Sequence, residues 1–217
     1  MLDIILYISS GMILFAYLGY FLLILINRNK IVSNSDGFDV TKDIISEYNS
    51  INIIETTGYF TVYNIKRKVI KLASKCYYGK DLSSMSLALN EAGISIVDNN
   101  KNKYINLFRT IFCNLKLLYI FPIIAIIINN SSFNINDAKV SLVFLVIFTF
   151  ISYILITIKN DSVYWVSNNI TKIKDINKDN RIKVINLMNK LIFLDKVIYF
   201  GEIIMIIRLT LILFEIK

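Results

Sequence analysis

Residues 3–28 read DIILYISSGMILFAYLGYFLLILINR, with no charge between Asp3 and Arg28. Bilayer hydrocarbon is about 30 Å thick, so a helix that crosses it needs about 20 mostly apolar residues. Ile4 to Ile26 meets that length. The run has neither a basic leading segment nor a small-residue cleavage site, so it reads as a retained anchor and not as a signal peptide. The rest of the chain repeats the pattern. Val140–Ile158 is a second clean run. Thr110–Ile128 is a third, with Lys116 near its start, where it can snorkel, and Pro122 inside, where it should kink the helix. Val197–Ile216 is a fourth and carries Glu202 and Arg208.

Composition agrees. The 217 residues are 55% hydrophobic and 18% charged, with no His, one Pro and two Cys. An average soluble domain is about 45–50% apolar with Gly included in the count. The absence of His removes Ser-His-Asp triads, Cys-His dyads, His general bases and His metal ligands. Cys76 and Cys113 form no CxxC pair and no disulfide framework.

Basic residues set the expected topology. Thirteen Lys and Arg lie from Arg28 to Lys116, and eight from Lys159 to Lys196. The turn at 129–138 has none. By the positive-inside rule both basic regions are cytoplasmic and both termini face outward. The net charge of +8 is then mostly orientation and contact with anionic lipid. No basic patch with interleaved aromatics points to nucleic acid. Cys76, on the cytoplasmic side, should stay reduced and serve packing.

The first basic region carries its own pattern. Residues 31–38 are turn-rich and read as a linker. Asp39 is positioned to cap a helix over Val40–Tyr48, with Ile44, Ile45 and Tyr48 on its apolar face. Ile51–Glu55 reads as a strand that Gly58 ends. Tyr59–Tyr63 and Lys68–Leu72 read as two more strands, joined through residues 64–67. From Asp81 to Val97 the period becomes helical, with Leu82, Met85, Leu89, Ala92 and Ile96 on one face and Asp81 as N-cap. Strands followed by a helix make a small α+β unit. Asn160–Lys190 shows helical spacing at Ile176, Ile182, Ile185 and Leu187 and reads as a helix pair.

These residues resemble a known family. Tyr77-Tyr78-Gly79 is followed by ten residues, Lys80 to Leu89, and then by Asn90-Glu91-Ala92-Gly93-Ile94. The order is similar to that of the bacterial neutral zinc metallopeptidases, the YugP-like integral membrane proteins. There a Tyr-Tyr-Gly stretch and a ten-residue spacer precede a helix bearing His-Glu-x-Gly-His. Val40–Tyr48 resembles that family's first cytoplasmic helix, and Tyr59–Leu72 its hairpin. Tyr104, Leu107 and Arg109 resemble its Gly-Tyr-x-x-Leu segment. The stretch from Val163 to Asn168 stands where it carries Glu-Phe-Asp-Ala-Ser, and Arg208 lies in a similar final helix.

The resemblance implies a membrane α-helical fold of about four transmembrane helices with a small cytoplasmic, zincin-like α+β domain. It divides the chain into an anchor (1–30), a degenerate peptidase-like region (31–107), a transmembrane hairpin (108–158), a cytoplasmic helical region (159–190) and a last span (191–217). Zinc is expected for that family. A His-Glu-x-x-His helix needs two imidazole nitrogens about one turn apart, and its Glu polarises the metal-bound water. Here the former metal-ligand positions hold Asn90, Ile94 and Val163, and the family's Asp-His-Tyr matches Thr61-Val62-Tyr63. Only Glu91, the general-base position, remains. Without the metal no water is brought to a pKa of about 7.

The expectation is therefore a pseudoenzyme without a bound metal or cofactor, held in the bacterial cytoplasmic membrane. Its partners would be the lipid bilayer and a peptide or another membrane protein. Tyr63, Tyr77, Tyr78 and Gly79 would line a vestigial cleft. Glu202 and Arg208 are intramembrane charges six residues apart on a helix, about 120° from a common face, so each is expected to pack against other spans. Two alternatives stay open: an active membrane metalloprotease with atypical ligands, and an unrelated small membrane accessory, transport or immunity-type protein.

Overall fold

The computed structural model describes residues 2–48, 50–58, 61–99 and 135–215. The expected span at Thr110–Ile128, with Lys116, Pro122 and Cys113, lies outside the described residues. So do Tyr104, Leu107, Arg109 and the first part of the strand expected at Tyr59.

In chain order the elements are α1 (Leu2–Asn27), α2 (Gly37–Ile45), β1 (Asn52–Thr56), β2 (Val62–Asn64), β3 (Val69–Ala73), α3 (Ser74–Tyr77) and α4 (Leu82–Asn99). Two long helices follow, α5 (Ile135–Asn169) and α6 (Lys178–Glu215), with a 3-10 turn at Ile170–Lys172 between them. Three helices are long and apolar enough to cross a membrane, over Ile4–Asn27, Leu142–Lys172 and Lys178–Phe214.

The chain falls into two compact units. Within the described residues one takes in 2–20, 135–156 and 193–215. Its core is Ile13, Leu145, Met205 and Leu209, one or two residues from each helix. Gly201 of α6 lies against Ile13 of α1: a Cβ there would come within 2.7 Å of the Ile13 side chain. The outward faces are apolar as well. Tyr7, Phe15, Leu18, Phe144, Phe150, Phe200 and Phe214 are all exposed. Soluble monomers rarely show a continuous apolar surface of this kind, whereas a lipid-facing bundle requires one.

The other unit takes in the described residues of 21–99 and 157–192. Its sheet has the order β1-β3-β2. β1 runs parallel to β3, and β2 antiparallel to it, with Tyr63 opposite Ile70. The β2–β3 hairpin turns through residues 65–68. The Asn64 side chain accepts from the Arg67 amide at 3.0 Å, and Lys68 takes a positive φ of 50°. A left-handed residue with a side chain costs about 1–2 kcal/mol, which glycine escapes in part. Lys68→Gly is therefore expected to raise the stability of this unit by about 0.5–1 kcal/mol. Thermal unfolding followed by the fluorescence of Trp165, the chain's single tryptophan, checks this.

α4 is the centre of the unit. Asp81 caps it, its Oδ1 accepting from the Ser83 and Ser84 amides at 3.0 Å each. All five residues of the expected apolar face are buried. Burial extends around the helix through Ser83, Ser84, Ser86, Ala88, Ile94 and Ser95. The buried hydroxyls turn back on the helix: Ser86 donates to the Leu82 carbonyl and Ser95 to that of Ala92. Small side chains and self-satisfied hydroxyls let neighbours approach on several sides.

Four local expectations are corrected. The second helix starts earlier than Val40: Asp36, not Asp39, is its cap, and its side chain accepts from the Asp39 amide at 3.0 Å. The earlier start is set by Gly37, whose missing Cβ makes room for the Cys76 carbonyl. Residues 31–38 are not a free linker. Val32 donates to the Lys80 carbonyl at 3.0 Å, the Leu82 amide donates to that of Lys30 at 2.8 Å, and Val32 and Ser33 are buried. Backbone pairing with the strand-like segment before α4 outweighs the turn-rich composition. Asn160–Lys190 is not a separate helix pair but holds the end of α5 and the start of α6, because no Pro or Gly interrupts either helix over these residues. Ile182 is 51% exposed, and the buried face of α6 there runs through Val184, Leu187 and Met188.

Candidate functional site

Glu91 sits on α4 opposite the sheet's edge strand. Its Oε2 accepts from the Tyr63 main-chain N–H of β2 at 2.7 Å, and its Oε1 lies 3.4 Å from the Asn90 amide nitrogen. Because β2 ends the sheet among the described residues, the Tyr63 N–H points away from β3 and meets no described strand. A buried main-chain donor without an acceptor costs about 1–3 kcal/mol. Glu91 supplies that acceptor, and its negative charge strengthens the bond.

Asn90 is held from the other side. Ser162 of α5 donates its hydroxyl to the Asn90 carbonyl at 2.9 Å. One residue pair later Gly93 meets the same stretch. A Cβ at Gly93 would overlap the Ser162 hydroxyl, stand 2.8 Å from the Ser162 carbonyl and 2.9 Å from a Val166 methyl. α4 and α5 thus touch across Asn90–Gly93 and Ser162–Val166, the stretch that contains Val163. Ile94 and Val163 are both buried, and Asn90 and Glu91 are half-buried.

Thr61 lies beside β2, where its hydroxyl accepts from the Ala73 amide at 3.2 Å. It also bonds with the Cys76 thiol. Burial pushes that thiol up, bonds with Thr61 and Ser84 oppose the rise, and the nearby Asp81 and Glu91 carboxylates add to it. Cys76 is therefore a protonated, packed thiol and not a nucleophile or thiolate ligand. Among the described residues no group of three or more His, Cys, Asp or Glu is arranged to hold a metal.

The four residues expected to line one cleft have distinct neighbours. Tyr63 is buried in the hairpin. Tyr77 stacks on Phe38, with ring centres 4.9 Å apart. Tyr78, mostly exposed, donates its hydroxyl to Glu55 at 2.9 Å. A bond with Ser74, and after it the one with Tyr78, holds the Glu55 carboxyl below its ordinary range, and the Glu55 bond raises the Tyr78 phenol. Gly79 is tight against the Lys75 carbonyl and Ser84, where a Cβ would not fit.

In the first unit Glu202 and Arg208 are both buried. Ser152 of α5 donates to Glu202 Oε1 at 3.2 Å. Glu202 Oε2 and the Thr149 hydroxyl, one turn before Ser152, have no hydrogen-bond partner among the described residues. Ser152 and Ser162 escaped the sequence reading. A serine in an apolar helix carries no period of its own, and only the acceptor it meets on another helix marks it.

No protein-family model matches the chain, and no curated protein and no solved structure matches it.

Proposed function

We propose that this chain is a membrane-anchored pseudopeptidase whose cytoplasmic α+β unit binds a peptide or a segment of another membrane protein. The observation that carries the reading is the placement of Glu91. The carboxylate at the general-base position stands on a helix against an antiparallel edge strand, and the helix segment with Val163 packs against the same turn of α4. That is the layout a zinc peptidase uses to place an extended substrate along an edge strand beside its metal. Here Asn90, Ile94 and Val163 stand at the ligand positions, so hydrolysis is absent and recognition remains. The basic regions face the cytoplasm, the termini face outward, and the spans hold the unit at the bacterial inner membrane.

Metal content of the purified full chain tests this reading. The expected result is no zinc above background, unchanged in Glu91→Ala. Stoichiometric zinc that is lost in Glu91→Ala contradicts it and returns the chain to the active, atypically ligated metalloproteases.

One observation favours the second reading, a small membrane accessory or transport protein. Glu202 is a buried carboxyl with one oxygen on Ser152 and the other unpartnered among the described residues. Ionisable groups inside a span are expensive and commonly mark ion or subunit pathways. On that reading Glu202→Gln abolishes function while changes over 55–97 are tolerated. On the pseudopeptidase reading the pattern is the reverse.

A further inference from the structure

We propose that the outer edge of β1 docks an extended basic peptide, its main chain on Ile53 and Glu55 and its Lys or Arg side chains on the Glu55 carboxylate and the Tyr78 ring. The inference rests on the peptide-binding reading above and specifies where the peptide lies and which side chains it carries.

The two outer strands of the sheet differ. At β2, Tyr63 is 4% exposed, α4 packs against the strand, and Glu91 already accepts from the Tyr63 N–H. At β1, Asn52, Ile54 and Glu55 are exposed, and among the described residues no strand pairs with its far side. One bond fixes which way its main chain points. The Asn52 amide donates to the Lys68 carbonyl at 3.0 Å. Alternate residues of a strand bond to the same neighbour. Asn52, Ile54 and Thr56 therefore face β3, while Ile53 and Glu55 turn their N–H and C=O groups to the outer edge. These two residues, about 7 Å apart along the strand, are the anchor points for an added strand.

The side chains along that edge set which peptide fits. Residues side by side on neighbouring strands share a face. Ile53 and Glu55 lie on one face of β1. Ile54 lies on the other, beside Lys71 of β3. On the first face the exposed Tyr78 donates its hydroxyl to Glu55 at 2.9 Å, and the negative charge of Asp36 reaches the same phenol. The Tyr78 ring ends an aromatic row. Tyr77 meets it edge-on at 4.9 Å, and Phe38 stacks on Tyr77. At the far end of the row the Lys42 ammonium stands over Phe38 at 5.9 Å. The row thus already seats one cation from the chain itself. A cation from a ligand meets the Tyr78 ring and the Glu55 carboxylate at the near end. On the other face Ile54, 44% exposed, suits an apolar side chain. The ligand is therefore a strand that alternates basic and apolar residues.

The test uses the full chain in non-ionic detergent micelles and two fluorescent nonapeptides, one alternating Lys and Val, the other Glu and Val. Two further copies of the Lys–Val peptide are N-methylated, one at its Lys residues and one at its Val residues. Between them they block the strand ladder for either direction of the peptide. Fluorescence anisotropy gives the affinities for wild type, Glu55→Lys and Tyr78→Ala. The chain carries a net charge of +8, so overall attraction favours the Glu–Val peptide. A preference for Lys–Val reports the local carboxylates.

Wild type is expected to bind Lys–Val about tenfold more tightly than Glu–Val. Glu55→Lys should lose that preference, and Tyr78→Ala should bind Lys–Val about fivefold more weakly than wild type. At least one methylated copy should fail to bind. Equal affinity of wild type for the two peptides overturns the proposal. So does an unchanged preference in Glu55→Lys, or binding of both methylated copies as tight as that of the parent. Trp165 fluorescence reports whether each variant keeps its fold. Should Glu55→Lys lose it, Tyr78→Ala decides, and an unchanged affinity there overturns the proposal. The peptide readout is independent of metal content. Zinc in wild type defeats the pseudopeptidase reading without deciding the β1 edge. A metal-free chain that binds neither peptide defeats the edge and leaves that reading standing.

Discussion

Gly93→Ala is expected to destabilise the sheet-bearing unit by about 1–3 kcal/mol, the cost of overpacking a close contact. Within a helix the same change ordinarily stabilises by about 0.5–1 kcal/mol. The sign reverses because α5 is already in the space. The new methyl would overlap the Ser162 hydroxyl and press on the Ser162 carbonyl at 2.8 Å. The hydroxyl could rotate, but only by releasing the Asn90 carbonyl, and the main-chain oxygen cannot rotate at all. Gly11 of α1 is the control, since a Cβ there meets nothing within 4 Å. Thermal unfolding of the two variants, followed at Trp165, should separate them by several degrees. Trp165 is well placed to report, because it lies in the Ser162–Val166 stretch and packs edge-on against Tyr48. Equal melting of Gly93→Ala and Gly11→Ala would remove the α4–α5 contact from the account.

The second large effect is a gain. The triple variant Asn90→His, Ile94→His and Val163→Glu is expected to acquire zinc. Residues 90 and 94 are four apart on one face of α4, the spacing two imidazoles need to share a metal. Glu91 lies between them. The third change sits next to Ser162, which already touches α4 at Asn90. Three protein ligands with one open position make a catalytic zinc site, and the bound water would then titrate near pH 7. The expected effect is a change from no bound zinc to about one zinc per chain. Hydrolysis of an extended peptide is a further consequence only if the Glu91 carboxylate leaves Tyr63 to reach that water.

Much of this architecture was legible in the chain itself, and the reasons differ by element. The spans were plain because length and charge alone decide whether a helix can lie in lipid: Ile4–Ile26 and the run around Val140–Ile158 need no tertiary knowledge. The α4 helix was legible because its apolar period and the Asp81 cap agree. The hairpin followed from β-rich residues on both sides of 64–67. What stayed hidden depends on long-range pairing. The parallel alignment of β1 with β3 is set by register and not by composition. The docking of 31–33 against 80–82 satisfies backbone groups that no side-chain pattern reveals. The cap at Asp36 instead of Asp39 was decided by Gly37 fitting under a carbonyl from α3. Two acidic residues three apart offer the same capping chemistry, and only packing chooses between them.

The site was legible in a different way. Glu91 stood out by its place between Asn90 and Ile94, but its hydrogen bond to an edge-strand amide could not be read from spacing. The Glu91 carboxylate is the acceptor for a main-chain donor of β2. The neighbours of Tyr77 and Tyr78 were equally hidden in the sequence. The two tyrosines were expected to line the cleft with Tyr63 and Gly79, and in the structure Tyr77 stacks on Phe38 while Tyr78 bonds to Glu55.

The central proposal is a peptidase-like scaffold with its metal positions replaced. Zinc stoichiometry of the purified Asn90→His, Ile94→His, Val163→Glu chain, measured by elemental analysis with wild type alongside, tests it most directly. The account predicts about one zinc per chain in the triple variant and none in wild type. A triple variant that keeps its Trp165 signal yet binds no zinc would contradict it, because residues 90, 94 and 163 would then not share a metal-sized site.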